Sequence, residues 1–140
     1  MKHLVFTYGS LKRGMTYHHL LAGQLYVGVA QTTPHYSLHR LSSFPAMIDH
    51  RHPEWVGGDS SVWGELYEVD DTRIADLDRL EGTEIGMYTR DWVGLKQIHV
   101  VQLPHYADSF NCLINNRAEC YLSQQSVADA ENCGSFWTPG

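Results

Sequence analysis

The sequence has few of the residues that build zinc modules, disulfide frameworks or nucleic-acid surfaces. Its 140 residues include three cysteines, Cys112, Cys120 and Cys133, an odd number with no C-x-x-C spacing, which argues against zinc ribbons and secreted disulfide scaffolds. Lysine and arginine number 10 against 16 acidic residues, giving a net charge of −6, so we expect no nucleic-acid partner. One disulfide pairing stays open.

Long apolar runs are also missing. No run approaches the roughly 18 residues that span a bilayer, and the first three residues lead directly into an apolar strand pattern instead of a signal peptide. We therefore expect a cytoplasmic protein in a reducing compartment, without membrane attachment. The oligomeric state is left open by the sequence.

The composition is that of a folded chain with a conventional core. It is 43% hydrophobic and contains eight tyrosines and four tryptophans, which argues against disorder. A chain of this length buries about two thirds of its unfolded surface. With no internal repeat and no linker, we expect a single domain over residues 1–140.

Hydrophobic periodicity predicts mostly strands with two short helices. The predicted strands cover residues 2–8, 24–41 with a break at Pro34, 62–69, 88–95, 97–103 and 118–122. We predict a hairpin through Gly94, mostly loop over 41–61 with a short apolar segment at 44–48, no regular element over 105–117, and a surface helix or tail over 123–132. A first helix is expected over 16–22.

The second helix is predicted over residues 72–80. Asp70-Asp71 supplies an N-cap before it, and Gly82 lies where a left-handed C-cap belongs. Ile74, Leu77 and Leu80 fall on one face, which we expect to be buried.

An N-terminal strand runs into the turn Tyr8-Gly9-Ser10-Leu11, a geometry that presents backbone N–H groups to a ligand. A phosphate loop is excluded because Met15 and Thr16 follow Gly14. A serine nucleophile elbow is excluded because Thr7 and Lys12 occupy the positions of its glycines. An ordinary tight turn is the alternative interpretation.

Glu81 is the candidate acid or base. It lies at the C-terminal end of the second helix, where the macrodipole disfavours a carboxylate by about 0.3 to 1 kcal/mol. A site that raises the proton affinity of a carboxyl group suits general acid–base work. A solvated surface glutamate is the alternative.

Other candidates have equally ordinary alternatives. Tyr8 and Tyr88 are typical of pocket walls, hydrogen-bond donors or half-buried packing residues. Arg90 could pair with a substrate carboxylate or with a neighbouring acidic side chain. The acidic residues around position 70 lack the calcium-loop pattern, and the histidines lack a third ligand at a recognisable spacing, so we expect no metal site.

Five segments in order resemble the γ-glutamylcyclotransferase-like family, in particular its γ-glutamylamine cyclotransferase and AIG2-like branch. They are Tyr8-Gly9-Ser10-Leu11, Phe44-Pro45-Ala46-Met47, the strand Val62 to Val69, Leu77-Asp78-Arg79-Leu80-Glu81-Gly82, and Tyr88-Thr89-Arg90. The resemblance is strongest over residues 4–94, while 104–140 has no clear counterpart, which leaves the leaving group open. It implies an α+β fold in which a small mixed sheet curls into a barrel with two short helices.

The resemblance also implies an activity. A γ-glutamylamine or γ-glutamyl amino acid would cyclise to 5-oxoproline and release its amine, with Glu81 as general acid and base and no cofactor. Backbone N–H groups of Gly9, Ser10 and Leu11 would bind the α-carboxylate, and Tyr8, Tyr88 and Arg90 would complete the substrate site. The alternative is a protein that binds or sequesters a small molecule on the same scaffold without catalysis.

Overall fold

The computed structural model describes residues 2–9, 12, 15, 18–41, 44–50, 61–124 and 131–134. The strands are β1 (Lys2–Thr7), β2 (Leu25–Thr32), β3 (Tyr36–Leu41), β4 (Phe44–Asp49), β5 (Trp63–Asp70), β6 (Tyr88–Val100), β7 (Arg117–Ser123) and β8 (Glu131–Gly134). The helices are α1 (Asp71–Glu81) and α2 (Ala107–Ile114), with 3-10 turns at His18–Leu21 and Thr83–Ile85.

Five strands close into a barrel in the order β1-β5-β2-β6-β7. The barrel closes where β1 runs parallel to β7, at Val5 opposite Glu119, and the other neighbours are antiparallel. The remaining strands form a second sheet in the order β4-β3-β8. The predicted α+β fold with a barrel-like sheet and two short helices is confirmed.

Alternation along β1 divides the apolar side chains between two clusters. Leu4 and Phe6 belong to the larger core, which includes residues of the second sheet such as Leu38 and Met47. Val5 points the other way and joins a smaller cluster, as expected for successive residues of a strand.

The smaller cluster is where α1 packs on the barrel. Ile74 and Leu77 of the helix meet Val69, Tyr88 and Tyr121 there. The helix therefore lies against strands that also carry tyrosines, and its last turn ends beside them.

The ends of α1 form as the sequence predicts. The Asp70 side chain accepts a 2.8 Å hydrogen bond from the backbone N–H of Arg73, and Gly82 adopts a left-handed conformation with φ 65°. Leu80, however, is 37% exposed, so the expectation that it shares the buried face is wrong. No helix in the described residues is long and apolar enough to cross a membrane.

The expected hairpin through Gly94 is wrong, because β6 is one continuous strand. Its first half pairs with β7 and its second half with β2. The register shifts where Val29 and Gln31 of β2 face His99 and Lys96, and Gln97 between those partners has φ 52°. A bulge thus bends the strand between its two neighbours without ending it.

Three other local expectations also need correction. The segment 44–48, predicted as part of a loop region, is strand β4, and its Pro45 is tolerated because β4 is the edge of its sheet. The described residues 18–21 of the expected first helix form a 3-10 turn. Helix α2 lies within 105–117, where no element was predicted. Residues 51–60 of the predicted loop lie outside the described residues.

Candidate active site

Glu81 continues the buried face of α1 in place of Leu80. It follows Leu77 by four positions and Ile74 by seven, the spacing that keeps side chains on one side of a helix. Burial disfavours the charged carboxylate and raises the pKa of Glu81 from 4.5 to about 7. The carboxyl group can therefore accept and return a proton near neutral pH.

Four groups that titrate at higher pH feel the charge of Glu81. Burial is the main cause that raises the pKa of the Tyr8, Tyr88 and Tyr121 hydroxyls and of the Cys120 thiol, and the Glu81 carboxylate adds to it in each case. Glu81 thus lies among neutral side chains contributed by β6, β7 and the segment after β1. Burial is also the only cause that shifts its own pKa upward.

The Tyr8 hydroxyl joins three parts of the chain. It donates a 2.6 Å hydrogen bond to the carbonyl oxygen of Tyr121 and accepts one of 3.3 Å from the backbone N–H of Met47. Tyr8 is 6% exposed. These bonds hold β4 and β7 together beside the N-terminal turn.

Tyr88 makes a similar connection from β6. Its hydroxyl donates a 2.7 Å hydrogen bond to the carbonyl oxygen of Pro45. Because that proton is already committed, the oxygen of Tyr88 has only lone pairs to offer a ligand. Next to the Glu81 carboxylate, the site offers acceptors and so suits an N–H donor.

Gly9 packs directly against Pro45. A Cβ built on Gly9 would lie 2.1 Å from Pro45 Cγ, a distance that no side chain could occupy without moving β4. The turn is closed by a 3.0 Å hydrogen bond from the Lys12 N–H to the Gly9 carbonyl oxygen. Ser10 and Leu11, the other predicted carboxylate ligands, lie outside the described residues.

Lys12 itself is buried, with 4% of its surface exposed. Desolvation lowers the pKa of its ammonium group, while the nearby Glu65 carboxylate opposes that shift. A buried lysine side chain therefore lies three residues after Gly9, a feature that the sequence analysis did not single out.

Arg90 is engaged by two acidic side chains. Its Nε and Nη2 donate to the carboxylate of Asp78 at 2.9 and 3.3 Å, and its Nη1 donates to Glu119 at 2.5 Å. The role of Arg90 as a substrate ligand stays a prediction, and the observed partners are both within the protein.

An open groove lies on the outer side of this network. It has a volume of about 240 Å³ and is lined by Asp78, Thr83, Tyr88, Thr89 and Arg90. Tyr88 both lines the groove and feels the charge of Glu81.

The second sheet carries a separate polar cluster. Ser37 Oγ lies 2.6 Å from His50 Nε2 and 2.7 Å from His39 Nε2. Within the described part of the chain, no group of three or more histidine, cysteine, aspartate or glutamate side chains is arranged to hold a metal ion.

Sequence reasoning missed two side chains of the site. Asp78 was not among the predicted site residues, and Tyr121 was only part of a predicted strand. The Tyr121 hydroxyl donates a 2.7 Å hydrogen bond to Asp78, a contact between positions 43 apart that no local spacing could have indicated. The sequence did offer one signal for Pro45 and Met47, because both lie in the Phe44-to-Met47 segment that resembles the family.

Comparison with known proteins identifies the family to which this chain belongs. The profile of the family described as "Gamma-glutamyl cyclotransferase, AIG2-like" matches residues 5–135. The chain therefore belongs to this family.

Individual relatives agree with that assignment. A Vibrio cholerae serotype O1 protein named "Putative gamma-glutamylcyclotransferase" is 35% identical over 109 residues, which cover 75% of this chain and 87% of that protein. A γ-glutamylcyclotransferase family protein of Citrobacter rodentium is 29% identical over 104 residues, covering 71% and 82%.

A solved structure supports the fold. The crystal structure of an AIG2-like protein from Mus musculus superposes with a TM-score of 0.71 at 20% identity, covering 99% of this chain and 90% of that one. At this identity the likeness concerns the fold alone.

Proposed function

We propose that this protein is a γ-glutamylcyclotransferase that converts a γ-glutamylamine or γ-glutamyl amino acid to 5-oxoproline, with Glu81 as general acid and base. The observation that carries the proposal is the partly buried Glu81 carboxyl, whose pKa is raised to about 7. The upward shift from 4.5 brings the pKa of this carboxyl closer to that of the α-ammonium group of the substrate. Proton transfer from that ammonium to Glu81 therefore costs less than transfer to an ordinary carboxylate.

The reaction begins with removal of a proton from the α-ammonium group of the substrate by the Glu81 carboxylate. The free amine then attacks the γ-carbonyl carbon of the same molecule and forms the new C–N bond of the five-membered ring. Because nucleophile and electrophile belong to one molecule, holding the chain folded supplies much of the rate.

Glu81 then returns its proton to the departing nitrogen. The bond between the γ-carbonyl carbon and that nitrogen breaks, the carbonyl re-forms, and the second proton shed by the ring nitrogen leaves with the released amine as its ammonium form. Protons and charge balance without any other reactant. One carboxyl group serves both steps.

The surroundings of Glu81 support an ammonium-bearing substrate. The Tyr88 hydroxyl donates its hydrogen bond to the carbonyl oxygen of Pro45, so its oxygen and the Glu81 carboxylate both act as acceptors. Of the predicted α-carboxylate ligands, Gly9 lies in the turn after β1, and Ser10 and Leu11 lie outside the described residues. The substrate would bind its ammonium between Glu81 and Tyr88 and its carboxylate against that turn.

The test is turnover of a panel of γ-glutamyl compounds, including glutathione, γ-glutamyl-alanine and γ-glutamyl-ε-lysine, with mass-spectrometric detection of 5-oxoproline. Glu81→Gln should lower turnover at least about 100-fold, since general acid–base catalysis contributes about 10²- to 10⁴-fold. Glu84→Gln is the matched control, because Glu84 is exposed on the following 3-10 turn. Full activity of Glu81→Gln would refute the role of Glu81.

A folded wild-type protein that binds members of the panel and leaves them intact would refute the enzyme. It would support the alternative, a protein that holds a small γ-glutamyl ligand. Isothermal titration with each compound distinguishes binding from no recognition at all.

A further inference from the structure

Asp78 is the centre of a group of hydrogen bonds that link α1 to the barrel. Its carboxylate accepts from Arg90 Nε at 2.9 Å, from Arg90 Nη2 at 3.3 Å and from the Tyr121 hydroxyl at 2.7 Å. Arg90 belongs to β6 and Tyr121 to β7. One side chain of the helix is therefore bonded to two neighbouring strands.

The same group of bonds reaches the first turn of α1. Glu119 accepts from Arg90 Nη1 at 2.5 Å and lies 2.7 Å from His3 Nδ1, while His3 Nε2 lies 2.6 Å from Asp71. Asp71 and Asp78 are seven positions apart, so they lie on one side of the helix about 10 Å apart along its axis. The helix is thus fastened to β1, β6 and β7 at both ends.

Beyond the buried Leu77, the side chains in the last turn of α1 are partly or well exposed. The buried residues of the helix are Ile74 and Leu77, and Leu80 is 37% exposed. Asp78 and Glu81 are three positions apart and hence neighbours on the helix surface. Any movement of Asp78 away from the strands would carry Glu81 with it.

Arg90 directs three of its five N–H groups to carboxylates of the protein in this arrangement. Each of its three nitrogen atoms donates to Asp78 or Glu119, and the two carboxylates more than offset its charge. This fits the finding that burial is the only cause that raises the pKa of Glu81.

We propose that Asp78 is a positioning residue that holds the Glu81 carboxyl group in the site, and that Arg90 and Tyr121 act through Asp78. The proposal deepens the function proposed above, on which its description of Glu81 as acid and base rests. The position of the Glu81 carboxyl is a property of the ligand-free protein, so it can be tested without turnover.

Tyr121→Phe is the most selective change. It removes the bond to Asp78 and keeps the ring, the net charge and the backbone carbonyl that accepts from Tyr8. We expect the pKa of Glu81, followed by ¹³C NMR of its side-chain carboxyl, to fall by about one unit as the looser turn lets water in. Tyr121 also feels the charge of Glu81. If that direct contact were its only role, loss of its hydroxyl would leave a less polar site and the pKa of Glu81 would rise.

Tyr106→Phe is the control, because Tyr106 is 53% exposed at the start of α2. It should leave the Glu81 pKa unchanged. An unchanged or raised Glu81 pKa in Tyr121→Phe would overturn the proposal, whether or not the protein turns over any substrate.

Activity gives a second test if the protein is an enzyme. Asp78→Ala should lower kcat about 10- to 100-fold with KM changed less than about twofold, the size expected when a catalytic group shifts by about 1 Å. The double variant Asp78→Ala/Tyr121→Phe should match Asp78→Ala alone, since Tyr121 has then lost its partner. If the losses of kcat in the two single variants multiplied in the double variant, Tyr121 would act independently, and the proposal that it acts through Asp78 would be overturned.

Discussion

The Tyr88 hydroxyl donates a 2.7 Å hydrogen bond to the carbonyl oxygen of Pro45, and this bond ties strand β6 of the barrel to strand β4 of the second sheet. Tyr88 is 5% exposed. Little water therefore reaches this bond. Without the Tyr88 hydroxyl, the Pro45 carbonyl oxygen would have little water to take its place as donor.

Tyr88→Phe should lower the free energy of unfolding by about 1 to 2 kcal/mol, because it leaves the Pro45 carbonyl oxygen buried and unpaired. Urea denaturation monitored by circular dichroism measures this change. Tyr106→Phe, at an exposed position, should change it by less than about 0.5 kcal/mol. Equal effects of the two substitutions would contradict the importance given to the Pro45 contact.

Gly9→Ala should destabilise the protein by about 1 to 3 kcal/mol, the usual cost of forcing extra volume into a packed region. The new Cβ would lie 2.1 Å from Pro45 Cγ, so the turn and β4 would have to separate. Gly94→Ala is a milder control, because its nearest contact is the Thr33 side chain at 3.0 Å. Thermal unfolding compares the two, and a Gly9→Ala protein as stable as wild type would show that the two segments do not pack so closely.

Glu68→Gln should weaken the start of α2. The buried Glu68 carboxylate of β5 accepts hydrogen bonds from the backbone N–H groups of His105 at 3.0 Å and Tyr106 at 3.1 Å. An amide offers one acceptor oxygen in place of two, so one N–H loses its partner at a cost of about 1 to 3 kcal/mol. Hydrogen exchange at those two amides should accelerate, whereas protection equal to wild type would argue against this contact.

Glu81→Gln should stabilise the protein at high pH. The pKa of Glu81 is raised to about 7 from 4.5, so the folded state binds the proton more tightly than the unfolded state, and the stability this contributes is lost as the pH rises through about 7. The substitution removes that loss, and should be more stabilising at pH 8 than at pH 5 by about 2 to 3 kcal/mol. Urea denaturation at both values checks this.

The exposed Glu84→Gln provides the comparison for that experiment and should show no such difference between pH 5 and pH 8. A Glu81→Gln protein whose stability follows wild type at both values would mean that the Glu81 carboxyl is solvated. The proposed acid and base would then lack its tuned pKa.

Where local rules decide the structure, the sequence predicted it. Strand β1, strand β5 and helix α1 each carry their own signals: an apolar run, clean alternation, and a cap at either end. Helix α2 has no such signal, because the carboxylate that accepts from the N–H groups just before it, those of His105 and Tyr106, comes from Glu68, 37 and 38 positions away. The sequence predicted two strands in place of β6, because the bulge at Gln97 that keeps it continuous depends on pairing with both β2 and β7.

The same distinction between local signals and long-range contacts applies to the candidate site. The position of Glu81 at a helix end was visible in the sequence, and the family resemblance supplied its role. The partners of Arg90 were not visible, because positions 78, 90 and 119 meet only after the barrel closes. The exposure of Leu80 was also not predicted. Leu80 and Glu81 are adjacent and cannot both lie on the buried face of α1, and the structure places Glu81 there instead of the apolar residue.

The pH dependence of kcat/KM for 5-oxoproline formation tests the central claim most directly. A general base with a pKa of about 7 should give activity that rises with pH up to that region and then levels, because the carboxylate must be free to accept the α-ammonium proton. Glu81→Gln should lose this rise together with at least about 99% of the activity, while Glu84→Gln keeps both. A wild-type profile flat from pH 5 to pH 8, or one unchanged in Glu81→Gln, would contradict the account.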